Sequence, residues 1–253
     1  MCGRFAQVFQ IEDLEHIERI INQSIGLDQS MIELFAANYS PTTKPSYNIA
    51  PTQYATVLHP TSASPRSPIG ATQAHFGLIP SWSKDRSRSS SMINARCETI
   101  ASKPAYRDVY RSRRCILPIN GFYEWQKLTA KDKQPWYIYR ADDEPMFLAG
   151  VYDTWLDPEH GHSEVDSFSL ITTHANEFIA DKHHRMPIVL EPESIALWFD
   201  RAAEPRELES LLIPANEGIL SAHRVSKRVN SPTNNDADLI NETGPAGQGT
   251  LFG

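Results

Sequence analysis

The chain has 253 residues, which suits one large domain whose core needs no disulfide staples. Hydrophobic residues make up 40% and charged residues 22%, excluding a disordered or fibrous chain. A formal net charge of -7 excludes a uniformly basic nucleic-acid coat, and three cysteines, an odd number, exclude a full disulfide framework and fit a reducing, cytoplasmic setting.

The chain starts Met1-Cys2-Gly3-Arg4 and runs into polar sequence without the apolar run of a signal peptide, so no export is expected. No stretch reaches the roughly 20 apolar residues of a membrane span. Ile11, Leu14, Ile17 and Ile21 recur at helical spacing, with Glu12 and Asp13 in the first turn, and predict an amphipathic helix. Tyr54 to Leu58 predicts a strand, 60–68 a Pro/Ser-rich loop, and Ala74 to Ile79 the partner strand. Ser81 to Ser91 is Ser/Arg-rich and reads as a mobile loop.

Further strands are predicted at 115–117, 121–125, 136–139, 147–152 and 168–172. Helical segments are predicted at 175–181, at 192–199, where Pro192 suits a first turn, and at 204–212. Strands and helices do not alternate regularly, so the expected fold class is α+β: a single domain over 1–230 with a mostly antiparallel, strand-rich, barrel-like core and flanking helices. Residues 231–253, rich in Asn, Asp, Gly and Pro, predict a flexible tail unless docked.

Charge is unevenly spread. Residues 81–115 carry nine Lys and Arg against three Asp and Glu, a net +6, which leaves -13 elsewhere. Such a stretch suits a localised anionic ligand, although from charge alone a solvated loop is the slightly better reading.

Removal of Met1 would leave Cys2 as a 1,2-aminothiol. An α-amine, with a reference pKa of about 7.7 to 8.0 against about 10.4 for lysine, has a free-base fraction roughly several hundred-fold larger at neutral pH. It can attack an aldehyde, after which the neighbouring thiol closes a five-membered thiazolidine at high effective concentration. Taken alone, Cys2 is better read as an ordinary second-codon cysteine.

Eight motifs in order change that reading. They are Met1-Cys2-Gly3-Arg4, Tyr47 to Thr52, Gly77-Leu78-Ile79-Pro80-Ser81-Trp82, Asn94-Ala95-Arg96-Cys97-Glu98-Thr99, Arg114 to Pro118 running into Gly121-Phe122-Tyr123-Glu124-Trp125, Ile171-Thr172-Thr173 with Ala175-Asn176, His183-His184-Arg185-Met186-Pro187, and Val225-Ser226 with Val229-Asn230. Together they resemble the SOS response-associated peptidase family from Met1 to about Asn230. The resemblance implies a groove for single-stranded DNA and a covalent thiazolidine between processed Cys2 and the ring-opened sugar of an abasic site. It further implies that Asn94 and Arg96 hold the sugar-phosphate, that Glu124 shuttles protons during imine formation, and that His183 assists ring opening and reversal. His183 is chosen over His184 because the family pattern is His-any-Arg-Met-Pro.

Other DNA-binding candidates are Arg4, Trp82, Lys84, Arg86, Arg111, Arg114, Trp125 and Thr172, cations and flat rings being what holds a single strand. Trp82 and Trp125 could instead be core, Arg96 could pair with Glu98, and Cys97 and Cys115 read as small buried residues. No metal site or cofactor is expected, and a monomer is. Gln248 to Phe252 is similar to the short motif that docks on bacterial sliding clamps.

Three rival readings share these residues. In a thiol autopeptidase or peptidase, Cys2 is the nucleophile and His183 the base. An N-terminal-nucleophile amidotransferase also begins Cys-Gly, but its downstream glutamine-binding pattern is not found. A plain single-strand binding module would have no use for Cys2.

Overall fold

A computed structural model describes residues 2–26, 45–62 and 67–244. Strand β1 (Phe5–Gln7) leads into helix α1 (Ile11–Ile25), whose start is capped reciprocally by Gln10 and Asp13 and whose end is a left-handed Gly26. Then follow β2 (Ser46–Ile49), β3 (Tyr54–Pro60), β4 (Ile69–Phe76), β5 (Asn94–Arg96), α2 (Cys97–Ile100), α3 (Arg107–Ser112), β6 (Arg114–Ile119), β7 (Gly121–Lys127), β8 (Lys133–Arg140), β9 (Met146–Asp157) and β10 (Ser163–His174). The chain continues through α4 (Glu177–Ala180), β11 (Arg185–Pro187), β12 (Val189–Leu190), α5 (Ile195–Phe199), α6 (Pro205–Ser210) and β13 (Leu220–Arg224).

Strand pairing closes a ring: β10 pairs β4, β4 pairs β3, β3 pairs β6, β6 pairs β9, and β9 returns to β10. Pairing is antiparallel except where β10 runs parallel to β4 and to β5. This five-stranded barrel, with few helices around it, bears out the expected α+β class. A second sheet of order β13-β8-β7-β1-β2 packs against it.

The two-residue period of the strands divides the core between neighbours. Leu58, Ile116, Ala149, Val151 and Ile171 pack with Ile17 and Ile21 of α1 and Trp198 of α5. Their alternates Val57, Leu117, Leu148 and Leu170 pack instead with Phe5, Phe122 and Ile138 of the second sheet. Central strands buried on both faces therefore read as continuous apolar runs.

Three expectations need correction. The strand expected at 74–79 ends at Phe76, because Gly77 adopts φ 131° and the chain turns away. The loop 81–91, expected to be mobile, is pinned. The Ser81 N–H donates to Asp153 (2.7 Å), Trp155 Nε1–H donates to the Ser83 carbonyl (2.7 Å), and Ser89 is buried against Gly77. The tail expected from 231 is docked through 244: the Asn48 amide donates to the carbonyls of Val229, Ser231 and Asn234, and Leu239 is fully buried beside Tyr123 and Val229. The clamp-like Gln248 to Phe252 lies outside the described residues. Among the described residues no helix is long and apolar enough to cross a membrane.

A methyl at Gly77 would meet the Ser89 carbonyl oxygen at 2.3 Å, and φ 131° is closed to side chains. Gly77→Ala should therefore cost at least about 1–3 kcal/mol, and a urea midpoint matching wild type would contradict this.

Candidate active site at the chain start

Cys2 lies at the seam between the two sheets, in the same apolar cluster as Phe5, Cys115, Phe122, Phe168 and Met186, and its side chain is wholly shielded from solvent. The Asn94 amide, at the start of β5, donates to the Cys2 carbonyl at 3.0 Å. Asn94 owes its position to the parallel register that sets it opposite Leu170 of β10. Its Oδ1 is buried with no donor among the described residues, an acceptor held ready inside the site.

Glu124 reaches the same place from β7. Alternation sends Tyr123 to the opposite face of the sheet, into the cluster with Tyr137 and Val229 against which Trp125 packs. The two aromatics flanking Glu124 in sequence thus do not desolvate it. Its cross-strand partner is Trp136, and directly opposed residues share a face. With 2% of Glu124 exposed, burial pushes its carboxyl up to about 7, against the lowering effect of the positive chain terminus. Burial, reinforced by the Glu124 charge, also pushes the Cys2 thiol well above its ordinary value.

His183 stands half-buried between α4 and β11. Burial first, and then the positive terminus, lower its pKa to about 4. His183 Nδ1 lies 3.0 Å from the Arg185 N–H and 3.1 Å from the Arg185 carbonyl, so it accepts from the one or donates to the other according to the tautomer. The site therefore holds a neutral thiol, a carboxyl poised between acid and base near neutrality, and a neutral imidazole. A thiolate–imidazolium pair, which a cysteine peptidase needs, is opposed by both shifts.

The remaining candidates scatter. Arg96 is exposed and makes no ion pair among the described residues, while Lys84 and Arg86 are exposed on the loop 81–91 and Arg111 on α3. Trp82 is 67% exposed and so is not core. Arg4 donates to Asn48 Oδ1 and to the Val229 carbonyl, both at 2.7 Å, and lies over Trp125, whose Nε1–H donates to Asn230. Arg114 is a different case: 4% exposed, it donates to the carbonyls of Trp198, Tyr110, Arg111 and Asp200 and stacks on Trp198. A guanidinium so committed holds the fold rather than meeting a ligand. Cys97 is half-buried, Cys115 is buried, and all three cysteines are free thiols. Among the described residues no cluster of metal-ligating side chains is present.

Comparison with known proteins places this geometry. The family model for SOS response associated peptidase (SRAP) matches residues 1–232. The chain is similar to the abasic site processing protein YoqW of Bacillus subtilis, at 36% identity over 95% of this chain and 99% of that one. It is similar to YedK of Escherichia coli, of the same description, at 31% identity over 95% and 99%. A crystal structure of a Bacteroides thetaiotaomicron protein superposes with TM-score 0.71 at 28% identity, covering 83% of this chain and 90% of that one.

One residue in the His183 to Pro187 string was given no role from sequence. Arg185, buried on β11, makes a bidentate pair with Glu98 (2.9 Å for each contact) and donates to the Thr172 hydroxyl and carbonyl. Glu98 therefore pairs with Arg185 and not with Arg96, and Thr172, fully buried, acts as an anchor. This brace joins the segment carrying Asn94 and Arg96 to the segment carrying His183. The Arg185 guanidinium holds the Glu98 carboxyl down at about 2. A carboxylate depressed in the folded state adds stability that is complete above about 4.5, its ordinary value, and lost as pH falls toward 2. Glu98→Gln should be less stable than wild type at pH 7, by about 1 kcal/mol after allowing for the exposure of Glu98. The gap should close between pH 4.5 and 2, and a gap constant with pH would remove the brace from this account.

Proposed function

The chain belongs to the SOS response-associated peptidase family, and from that premise we propose that it is an abasic-site processing protein. On this reading it links processed Cys2 covalently to the ring-opened sugar of an abasic site in single-stranded DNA. The observation that carries the proposal is the meeting, at the first residues of the chain, of a shielded thiol, an amide bound to the Cys2 carbonyl and a carboxyl raised to about 7. Relatives described as abasic site processing proteins support the substrate class.

The reaction balances without a cofactor. Loss of Met1 exposes the Cys2 amine. His183, neutral at physiological pH, takes the proton from the C1′ hydroxyl of the closed sugar and passes it to the ring oxygen as the bond from C1′ to that oxygen breaks, which frees the aldehyde and restores the neutral imidazole. The amine adds to that carbon to give a carbinolamine. Protonated Glu124 then delivers a proton to the departing hydroxyl, and water leaves. The Cys2 Sγ–H adds across the resulting C=N bond, sulfur to carbon and proton to nitrogen, so that aldehyde, amine and thiol become thiazolidine plus one water. The net excess proton of the iminium returns to Glu124. A thiol kept neutral by burial suits this order, because it stays silent until the imine forms beside it.

Asn94 Oδ1 offers an acceptor to the amine or the sugar hydroxyl, and Arg96, lacking an ion pair among the described residues, offers its charge to the lesion phosphate. Arg4 with Trp125, and the exposed Trp82, Lys84, Arg86 and Arg111, extend the surface toward flanking nucleotides. Arg114 is left out for the reason given above. The protein acts on this reading as a monomer.

Denaturing electrophoresis with uracil-excised single-stranded DNA tests the reading. Wild type should give a heat-stable adduct and a mass lacking Met1, while Cys2→Ala and Cys2→Ser keep reversible DNA binding and give no such adduct. An active protein that retains Met1 would refute the proposal.

The pH profile provides a second check. The free amine grows as pH rises toward about 7.7 to 8.0, whereas the Glu124 proton is lost above about 7. Adduct formation should pass through a maximum between these values. Glu124→Gln should be slower by about 100-fold or more and should lack the falling limb. A falling limb that survives this substitution would assign the proton transfer elsewhere.

A further inference from the structure

A second concavity, of about 370 Å³, opens beside the loop 81–91 and is lined by Thr52, Tyr54, His75, Arg86 and Ser87 with Ser89 and Ser90. Its size lies within the roughly 300–1,000 Å³ of ligand sites. The back wall is built rigidly. His75, buried, donates to the Thr52 carbonyl and accepts from the Ser89 hydroxyl (3.1 Å), which fixes a neutral ring between β4 and the loop. The absence of a side chain at Gly77 lets the Ser89 backbone press against it. Thr52, a β-branched residue, is held at φ 72° with its N–H donating to the Phe76 carbonyl (2.8 Å). A non-glycine residue kept in the left-handed region marks a wall that its surroundings over-determine, and such strain gathers at ligand sites.

The mouth is chemically different from the wall. Arg86 is exposed and has no ion pair among the described residues, while its charge lies close enough to help depress the protonation of His75. Ser87 and Ser90 are exposed beside it. Tyr54, 51% exposed, stands edge-on to His75 at 5.7 Å between centroids. Asp85, the nearest carboxylate in sequence, is exposed and accepts from both the Ser87 N–H and the Ser87 hydroxyl. A cation, hydroxyls and an exposed ring around one hollow are the complement of a phosphodiester and its attached base.

We propose that this concavity is a nucleotide subsite, in which Arg86 with the Ser90 hydroxyl holds an internal phosphodiester of a single strand and Tyr54 stacks on its base. The identity of the ligand rests on the single-strand reading given above. The hollow is separate from the Cys2 chemistry, and it holds the strand whether or not a lesion is present.

The test uses the full chain and fluorescence anisotropy with an undamaged, labelled oligodeoxythymidine, so that covalent chemistry plays no part. Arg86→Gln should flatten the dependence of log affinity on log salt by about 0.7, one phosphate contact. Arg86→Lys should keep the wild-type slope. Tyr54→Ala should weaken binding about tenfold with the slope unchanged. The same losses should appear with and without a 5′-phosphate on the oligonucleotide. A salt slope unaltered in Arg86→Gln would overturn the subsite, as would an effect confined to the 5′-phosphorylated strand, which would assign the hollow to a terminal monoester. Failure of wild type to form an adduct with abasic DNA is a separate result that falls on the Cys2 reading, since the anisotropy comparison proceeds without it.

Discussion

Removal of Glu124 and the Cys2 side chain from water is the constraint on which the proposed chemistry depends. In solvent the carboxyl would be ionised at neutral pH and useless as an acid. Between the two sheets its charged form loses hydration, and the same low-dielectric surroundings keep the thiol protonated. Neither shift requires a metal or a strong ion pair. Both follow from seating the first residues of the chain in the seam of a barrel and a sheet, where a loosely attached terminus would be fully solvated.

That seating depends on polar ties at the edges of an apolar interior. Asn94 holds the Cys2 carbonyl, Arg4 reaches back to Asn48 and Val229, and the Arg185–Glu98 pair connects the segments that carry Asn94 and His183. Arg185 is buried while Glu98 is half-exposed, so the brace keeps one charge hydrated and avoids much of the desolvation cost of a wholly buried pair.

Much of this was legible in the sequence, for identifiable reasons. Helix α1 announced itself through Ile17 and Ile21 at helical spacing, and the strands through short β-branched runs between turn residues. The four residues at the centre of the site were found through motif strings, which name residues without placing them. Environment was less legible. The pleat sends Tyr123 and Trp125, the rings beside Glu124 in sequence, to the other side, and its cross-strand neighbour is Trp136, twelve positions further along the chain. Arg114 looked like one more cation of a basic stretch, because nothing local shows that the carbonyls of Trp198 and Asp200 join those of Tyr110 and Arg111 around it. Composition likewise marked 231–244 as a tail, although one leucine and a few asparagines suffice to dock it.

The docked segment bears on where a recombinant form of this protein can safely stop. The family match ends at 232, yet Leu239 fills a hole over Tyr123 and the side chain of Asn48 uses the carbonyl of Asn234. A clone ending at the match would bare the rear of the sheet that carries Glu124. It would then risk clumping through that newly uncovered oily surface, and a loss of activity from such a clone would be misread as a catalytic defect.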